Sequence, residues 1–71
     1  MKTKFNYSKL LGRIRECGFT QSQLAKAIGI SKSTMSAKLN NQFPFTQEEI
    51  LDICKVLNIP LNEIGAYFYA I

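Results

Sequence analysis

The stretch TQSQLAKAIGISKSTMSAKLNN, residues 20–41, decides the fold of this 71-residue chain. Thr20 and the glutamine three residues later have the spacing of a capping box, which predicts a helix beginning after Thr20. Gly29 is predicted to end that helix, because glycine readily adopts the left-handed conformation that follows a helix. Ser31 is predicted to cap a further helix that runs to about Asn40. The stretch therefore predicts two short helices joined by two or three residues.

The side chains around this turn suit two helices that cross. Helices joined so tightly must cross at a steep angle. Ala25 is a small residue where the two backbones would approach, and Gly29 is free to adopt a positive φ in the turn. Apolar residues are available for both inner faces: Leu24, Ile28, Ile30 and Met35. The combination at this spacing is more specific than any one of its parts.

Helix signals also cover most of the remaining chain, and no alternating strand pattern is present. A first helix is predicted after Asn6, with Gly18 as its stop signal. Thr46 and the glutamate three residues later form a second capping box, which predicts a fourth helix. A final short helix is expected from about Leu61, with a short strand as the alternative for the last seven residues. The prediction is one compact all-α domain of five helices, residues 1–71.

Positive charge is concentrated in the first part of the chain. The net charge is +4, to which residues 1–45 contribute +7 and residues 46–71 contribute −3. A basic surface raises the local affinity for a polyanion such as a nucleic acid. An ordinary solvated surface explains the charge equally well. Lys9 and Arg13, four residues apart on the first helix, are expected on such a solvated face.

Composition argues against an enzyme and against a membrane protein. The chain has no histidine, the commonest general base, and no nucleophile–base pair. We therefore expect no catalytic residue, no metal, no cofactor and no small-molecule substrate. Cys17 and Cys54 are expected to be reduced, buried thiols. No stretch is apolar enough to span a membrane, and the basic N-terminus is not followed by an apolar run, so a cytoplasmic protein is expected.

Residues 20–41 resemble the helix-turn-helix of the phage repressors and Cro proteins and their bacterial relatives, and the five-helix layout extends the resemblance over most of the chain. The segment LNNQFPFTQEEI, residues 39–50, is also similar to small regulators encoded by temperate phages of Gram-positive bacteria. The resemblance implies a Cro-like or repressor-like transcriptional regulator of a phage or prophage. It would bind operator DNA as a homodimer, with the third helix in the major groove.

The resemblance also implies which residues contact DNA. The positions expected to face the bases are Lys32, Ser33, Ser36 and Ala37. Small polar side chains there would let the helix backbone lie deep in the groove, and a serine can donate to or accept from more than one base. The residues expected to contact phosphates are Gln21, Ser31, Thr34, Lys38, Asn40 and Asn41. For each of these polar residues, an ordinary solvated surface is the alternative.

The C-terminal aromatic segment has two possible roles. Five short helices cannot easily bury all of its large side chains, and an exposed apolar cluster is a liability for aggregation. We expect Ile64 and Phe68 in the core. We expect a dimer contact to be formed by Tyr67, Tyr69 and Ile71.

One position departs from the family pattern. Three residues after Met35 the family usually has an apolar residue that faces the core, but here that position is Lys38 and the apolar Leu39 follows it. Since each residue turns a helix by about 100°, we expect the third helix to be rotated or distorted at its end. This leaves open which side chains in its second half face the bases.

A protein-interaction module on the same fold, such as the antitoxin of a toxin–antitoxin pair, is the alternative function. An acidic third helix would favour that interpretation, and the third helix here carries only positive charge. The basic first half of the chain favours DNA as the partner.

Overall fold

Five α-helices make up the fold of residues 4–71, the part of the chain that this computed structural model describes. They are α1 (Ser8–Glu16), α2 (Gln21–Ile28), α3 (Lys32–Leu39), α4 (Gln47–Leu57) and α5 (Ile64–Phe68), with a 3₁₀ turn at Leu61–Glu63 before α5. Residues 4–71 contain no β-strand. The all-α prediction is thus confirmed. Of the last seven residues, those up to Phe68 belong to α5 and residues 69–71 have no regular structure, so the alternative strand is not formed.

Side-chain caps fix where three of the helices begin. Thr20 and Thr46 each form a complete capping box at the start of α2 and α4. The hydroxyl of Ser31 accepts a hydrogen bond from the backbone N–H of Thr34 at 3.1 Å, at the start of α3. These bonds satisfy N–H groups that the first turn of a helix leaves without partners. All three predicted helix starts are confirmed.

The first helix begins one position later than a cap at Asn6 would place it. Tyr7 occupies the cap position, and its side chain makes no cap hydrogen bond because its ring is buried in the core. Asn6 still contributes, since its Oδ1 accepts from the backbone N–H of Ser8 at 2.9 Å. Beyond the end of α1, Gly18 has a φ of 78°, the left-handed conformation expected of a helix stop.

The core brings together side chains from all five helices. The largest side chains that are fully buried are Leu10, Leu24, Met35, Ile53, Leu57 and Phe68. Burial of each such side chain contributes roughly 1.5–3 kcal/mol of hydrophobic free energy. Phe68 is in the core as predicted, and Ile64 packs against it while partly exposed.

The C-terminal end of α4 is held by α1. The Nε of Arg13 donates to the carbonyl oxygen of Leu57 at 3.0 Å, and the Sγ of Cys17 donates to the same oxygen at 3.6 Å. A cation is favourable here, because the last carbonyls of a helix lack partners and carry partial negative charge. On the same helix, the Nζ of Lys9 lies 4.8 Å from the centroid of the Tyr67 ring. The basic face of α1 is thus partly used in internal contacts, in addition to being solvated.

The two cysteines are both free thiols, with Cys54 buried and Cys17 partly buried. Burial raises the pKa of the Cys54 thiol. Within residues 4–71, no helix has both the length and the apolar character needed to cross a membrane.

Candidate nucleic-acid interface

The α2–α3 pair has the tight connection that the sequence predicts. Gly29 has a φ of 81°, and the backbone N–H of Ile30 returns to the carbonyl of Ala25 at 2.9 Å. Only residues 29–31 separate the two helices. Leu24 and Ala25 of α2, and Met35 of α3, are at most 1% exposed. The small Ala25 therefore allows α3 to pack closely on α2.

The four candidate base-reading residues lie on one side of α3. Lys32 and Ser33 at its start are exposed, and Ser36 and Ala37 one turn later are partly exposed. On an ideal helix these four positions fall within an arc of about 140°. All four contribute to the solvent-accessible surface of α3. Ser33 and Ala37 point away from the core, whereas Lys32 and Ser36 lie at the edge of the arc that is next to buried Leu39. This surface consists of small side chains and one positive charge, that of Lys32.

Four of the candidate phosphate-contacting residues lie at or near the ends of α2 and α3. Gln21 is the first residue of α2 and is partly buried, whereas Asn40 at the end of α3 is exposed. At the start of α3, the hydroxyl oxygens of Ser31 and Thr34 lie 2.8 Å apart and share a hydrogen bond. Ser31, Thr34 and Asn40 flank the two ends of the α3 surface, where a DNA backbone on either side of a groove would run.

Arg15, which the sequence analysis did not single out, lies near the candidate phosphate contact Gln21. Arg15 is exposed, and it lines the same surface depression as Phe19, Thr20 and Gln21 at the N-terminal end of α2. Its guanidinium adds a positive charge next to backbone N–H groups that favour anions. No signal in the sequence distinguishes Arg15 from other surface arginines, because its position depends on how α1 packs against the start of α2.

Lys38 lies on the opposite, inward side of α3, which corrects its predicted contact with a phosphate. The residue is only 8% exposed, and its ammonium donates to Oε1 of Glu49 on α4. An enclosed ammonium that already has a carboxylate partner is not free to bind a phosphate. The predicted distortion at the end of α3 is not observed, whereas its rotation relative to the family pattern stays a prediction. The helix runs regularly to Leu39, and Met35, Lys38 and Leu39 are all buried.

Asn41 is partly buried and is hydrogen-bonded within the molecule, and its contact with a phosphate stays a prediction. Its Oδ1 accepts from the backbone N–H of Phe5 at 2.8 Å, and its Nδ2 donates to the carbonyl of Phe5 at 3.0 Å. Asn41 has a φ of 63°, a conformation that asparagine tolerates better than most residues. Its side chain therefore fastens the segment before α1 to the end of α3.

The three residues predicted at a dimer contact are exposed to different degrees. Tyr69 and Ile71 are 52% and 90% exposed, whereas Tyr67 is partly buried. The ring of Tyr69 packs edge-on against Phe5, with 5.6 Å between the ring centroids. Tyr69 and Ile71 thus leave apolar area at the surface, and their contact with a second copy stays a prediction.

Comparison with known proteins places this architecture in a family. Residues 3–70 match the family described as "Protein of unknown function (DUF739)". The chain belongs to this family. Among solved structures, this DUF739 protein is similar to the solution structure of the modulator of repression (MOR) of the temperate bacteriophage TP901-1 from Lactococcus lactis. The two chains are 40% identical, the match covers 92% of this chain and 88% of that one, and the TM-score is 0.79. No curated protein matches the chain.

The similarity extends over nearly the whole DUF739 protein, so it includes the α2–α3 unit as well as the flanking helices. The resemblance to small temperate-phage regulators that the sequence indicates is confirmed by this match.

Proposed function

We propose that this DUF739 protein is a phage or prophage regulator that binds double-stranded DNA in a sequence-specific manner through a helix-turn-helix formed by α2 and α3. The phage regulatory role is supported by the similarity to the modulator of repression of phage TP901-1. The protein acts by binding, without catalysis, metal or cofactor.

The outer side of α3 is the observation that carries this proposal. The helix packs on α2 through buried side chains, yet it leaves Lys32 and Ser33 exposed at its start and small residues partly exposed one turn later. A surface of this kind fits a major groove about 12 Å wide, because small side chains let the backbone approach the base edges. In this arrangement the N-terminal end of α3 points into the groove.

Each side chain has a defined role in the proposed complex. Lys32 reaches guanine O6 and N7, and Ser33 donates to or accepts from a neighbouring base edge. Ser36 reads bases further along the groove, and the methyl group of Ala37 contacts a thymine methyl. Gln21 and Arg15 hold a phosphate at the N-terminal end of α2, where backbone N–H groups also face an anion. Further phosphate contacts come from Ser31, Thr34 and Asn40.

The complex is proposed to contain two copies of the chain on a two-fold symmetric operator. Two copies present two α3 helices to successive major grooves on one side of the duplex, one helical turn apart. Tyr69 and Ile71 provide the exposed apolar area for the contact between the copies.

Binding to random-sequence duplex DNA across a salt series, measured by fluorescence anisotropy, tests the proposal. Micromolar affinity that falls steeply with salt is expected, because each phosphate contact releases counterions. Selection of a preferred duplex from a random library then tests sequence specificity. Absence of binding at about 50 mM salt, where phosphate contacts are strongest, would refute DNA as the partner.

A second candidate is a protein partner bound by the same surface. Three cations of the basic half are engaged internally, since Lys38 pairs with Glu49, Arg13 donates to α4 and Lys9 lies over Tyr67. With Lys38 turned inward, the outer side of α3 carries the single positive charge of Lys32, which suits a protein surface as well as a groove. A protein that is named a modulator of repression is compatible with either partner. The salt series separates the two candidates.

A further inference from the structure

We infer that the ion pair between Lys38 and Glu49 fixes the rotation of α3 about its own axis and thereby sets the sequence specificity of the α3 surface. The inference rests on the proposed function. Lys38 and Glu49 are positioning residues in this account, because neither side chain lies on the outer side of α3 and neither would touch DNA. Their side chains are 10% and 15% exposed, so the contact is largely shielded from water.

The position of Lys38 on the helix links the ion pair to the bases. On an ideal helix, Lys38 points about 160° away from Ser36 and about 140° away from Ser33. Any rotation of α3 that moves the lysine away from Glu49 must therefore turn the serines by the same angle relative to the groove. A contact on the inner side of the helix thus determines the direction in which the outer side chains point.

The carboxylate that receives Lys38 is itself held in place. The same oxygen, Oε1 of Glu49, accepts from the backbone N–H of Thr46 at 2.8 Å, and the N–H of Glu49 donates to Oγ1 of Thr46 at 3.1 Å. Glu49 is thus fixed in the first turn of α4, next to Ile50, which is buried in the core. The ammonium of Lys38 therefore binds a carboxylate whose position is fixed, and the ion pair connects α3 to α4.

Apolar packing alone gives α3 a weak rotational preference. The helix buries only two apolar side chains, Met35 and Leu39. Hydrophobic burial is non-directional, whereas a hydrogen bond weakens steeply when its angle departs from the ideal. Buried ion pairs often contribute little net stability, and in some proteins they select one arrangement among several. The pair between α3 and α4 is suited to that role.

The test compares a double variant with a matched control. Lys38→Met with Glu49→Gln removes the ion pair while keeping the lysine stem and the capping box, since Gln23 serves at the same position of α2. Lys55→Met with Glu48→Gln makes the same chemical changes at two exposed residues of α4. Two quantities are measured for each protein: residual dipolar couplings of the free protein, which report the orientation of α3 relative to α4, and the ratio of Kd for random duplex to Kd for selected duplex.

In the double variant, we expect that the residual dipolar couplings of α3 no longer fit the wild-type structure. The couplings of α1 and α4 should still fit it. We expect the Kd ratio to fall at least about tenfold, equivalent to losing roughly one base-pair contact. Binding to random duplex should stay within about threefold of the control, because the phosphate contacts are kept.

Unchanged α3 couplings, or an unchanged Kd ratio, in a folded double variant would overturn the inference. If the double variant does not fold, Glu49→Gln alone provides the comparison, because it keeps the capping box and removes only the negative charge. If the wild type binds no duplex, the proposed function fails and the specificity part of the inference fails with it. The couplings of the free protein then still decide whether the pair orients α3.

Discussion

The side chain of Asn41 forms two hydrogen bonds with the backbone of Phe5, one as acceptor and one as donor, across 36 residues of sequence. The contact joins the segment before α1 to the turn that follows α3. It also occurs where the backbone of Asn41 is left-handed, with a φ of 63°. The end of α3 is therefore fastened to the N-terminal segment as well as to α4.

Asn41→Ala should lower the free energy of unfolding by about 2–4 kcal/mol. The substitution removes two hydrogen bonds, and it places alanine at a positive φ that asparagine tolerates better. Asn58→Ala is the control, since Asn58 also has a positive φ, 57°, and makes no side-chain hydrogen bond within residues 4–71. We expect the control to cost about 1–2 kcal/mol. Urea unfolding, monitored by circular dichroism, measures the free energy of unfolding of both variants. If the two variants lose the same free energy of unfolding, the hydrogen bonds to Phe5 do not contribute to stability.

Lys32→Ala should weaken binding to a selected duplex more than binding to a random one, because Lys32 is assigned to a base edge. Loss of a base contact costs about 1–3 kcal/mol of discrimination. Gln21→Ala should weaken both by a similar factor, because phosphate contacts carry no sequence information. Anisotropy titrations with both duplexes measure the two ratios. If the variants lose specificity by the same factor, the assignment of Lys32 as reader and Gln21 as phosphate contact is wrong.

The free energy of unfolding should decrease at acidic pH, because Glu49 becomes protonated there. Burial acts to raise the pKa of Glu49, but hydrogen bonds from Lys38 and Thr46, together with the charge of Lys38, outweigh it and lower the pKa. A carboxyl group whose pKa is lowered by folding stabilises the fold above its unfolded pKa, about 4.3. That contribution is lost as the pH falls through the lower folded value.

Urea unfolding of the wild type and of Glu49→Gln between pH 7 and pH 3 measures this contribution. The variant should be less stable at neutral pH and should lose less stability than the wild type on acidification. Glu48→Gln is the matched control, because it removes an exposed carboxylate from the same helical turn. Identical pH profiles for wild type and Glu49→Gln would contradict the assigned role of the ion pair.

Tyr69→Ser with Ile71→Ser should convert a dimer to a monomer, because the two exposed side chains provide the proposed apolar contact. Sedimentation velocity at several concentrations, with and without operator duplex, measures the assembly. Leu61→Ser is the control, since Leu61 is an apolar residue that is 65% exposed and outside the proposed contact. If the double variant binds operator with the same stoichiometry as the wild type, the dimer contact must involve other residues.

The residues that sequence reasoning placed correctly depend on local chemistry. The capping boxes at Thr20 and Thr46 and the positive φ of Gly29 follow from spacings of a few residues, so the helix starts and the α2–α3 turn could be predicted. The contacts of Lys38 and Asn41 could not be predicted, because their hydrogen-bond partners, Glu49 and Phe5, lie 11 and 36 residues away in the sequence. Whether a lysine on a short helix faces solvent or a carboxylate depends on which helix packs beside it.

The central claim, that the outer side of α3 binds double-stranded DNA, is tested most directly by titrating the isotope-labelled protein with a selected duplex and following its amide NMR signals. We expect the largest shifts at Lys32 and Ser33, with further shifts at Gln21 and Arg15, and we expect all of them to diminish as salt is raised. Shifts confined to the exposed face of α4, or an absence of shifts at about 50 mM salt where phosphate contacts are strongest, would contradict it.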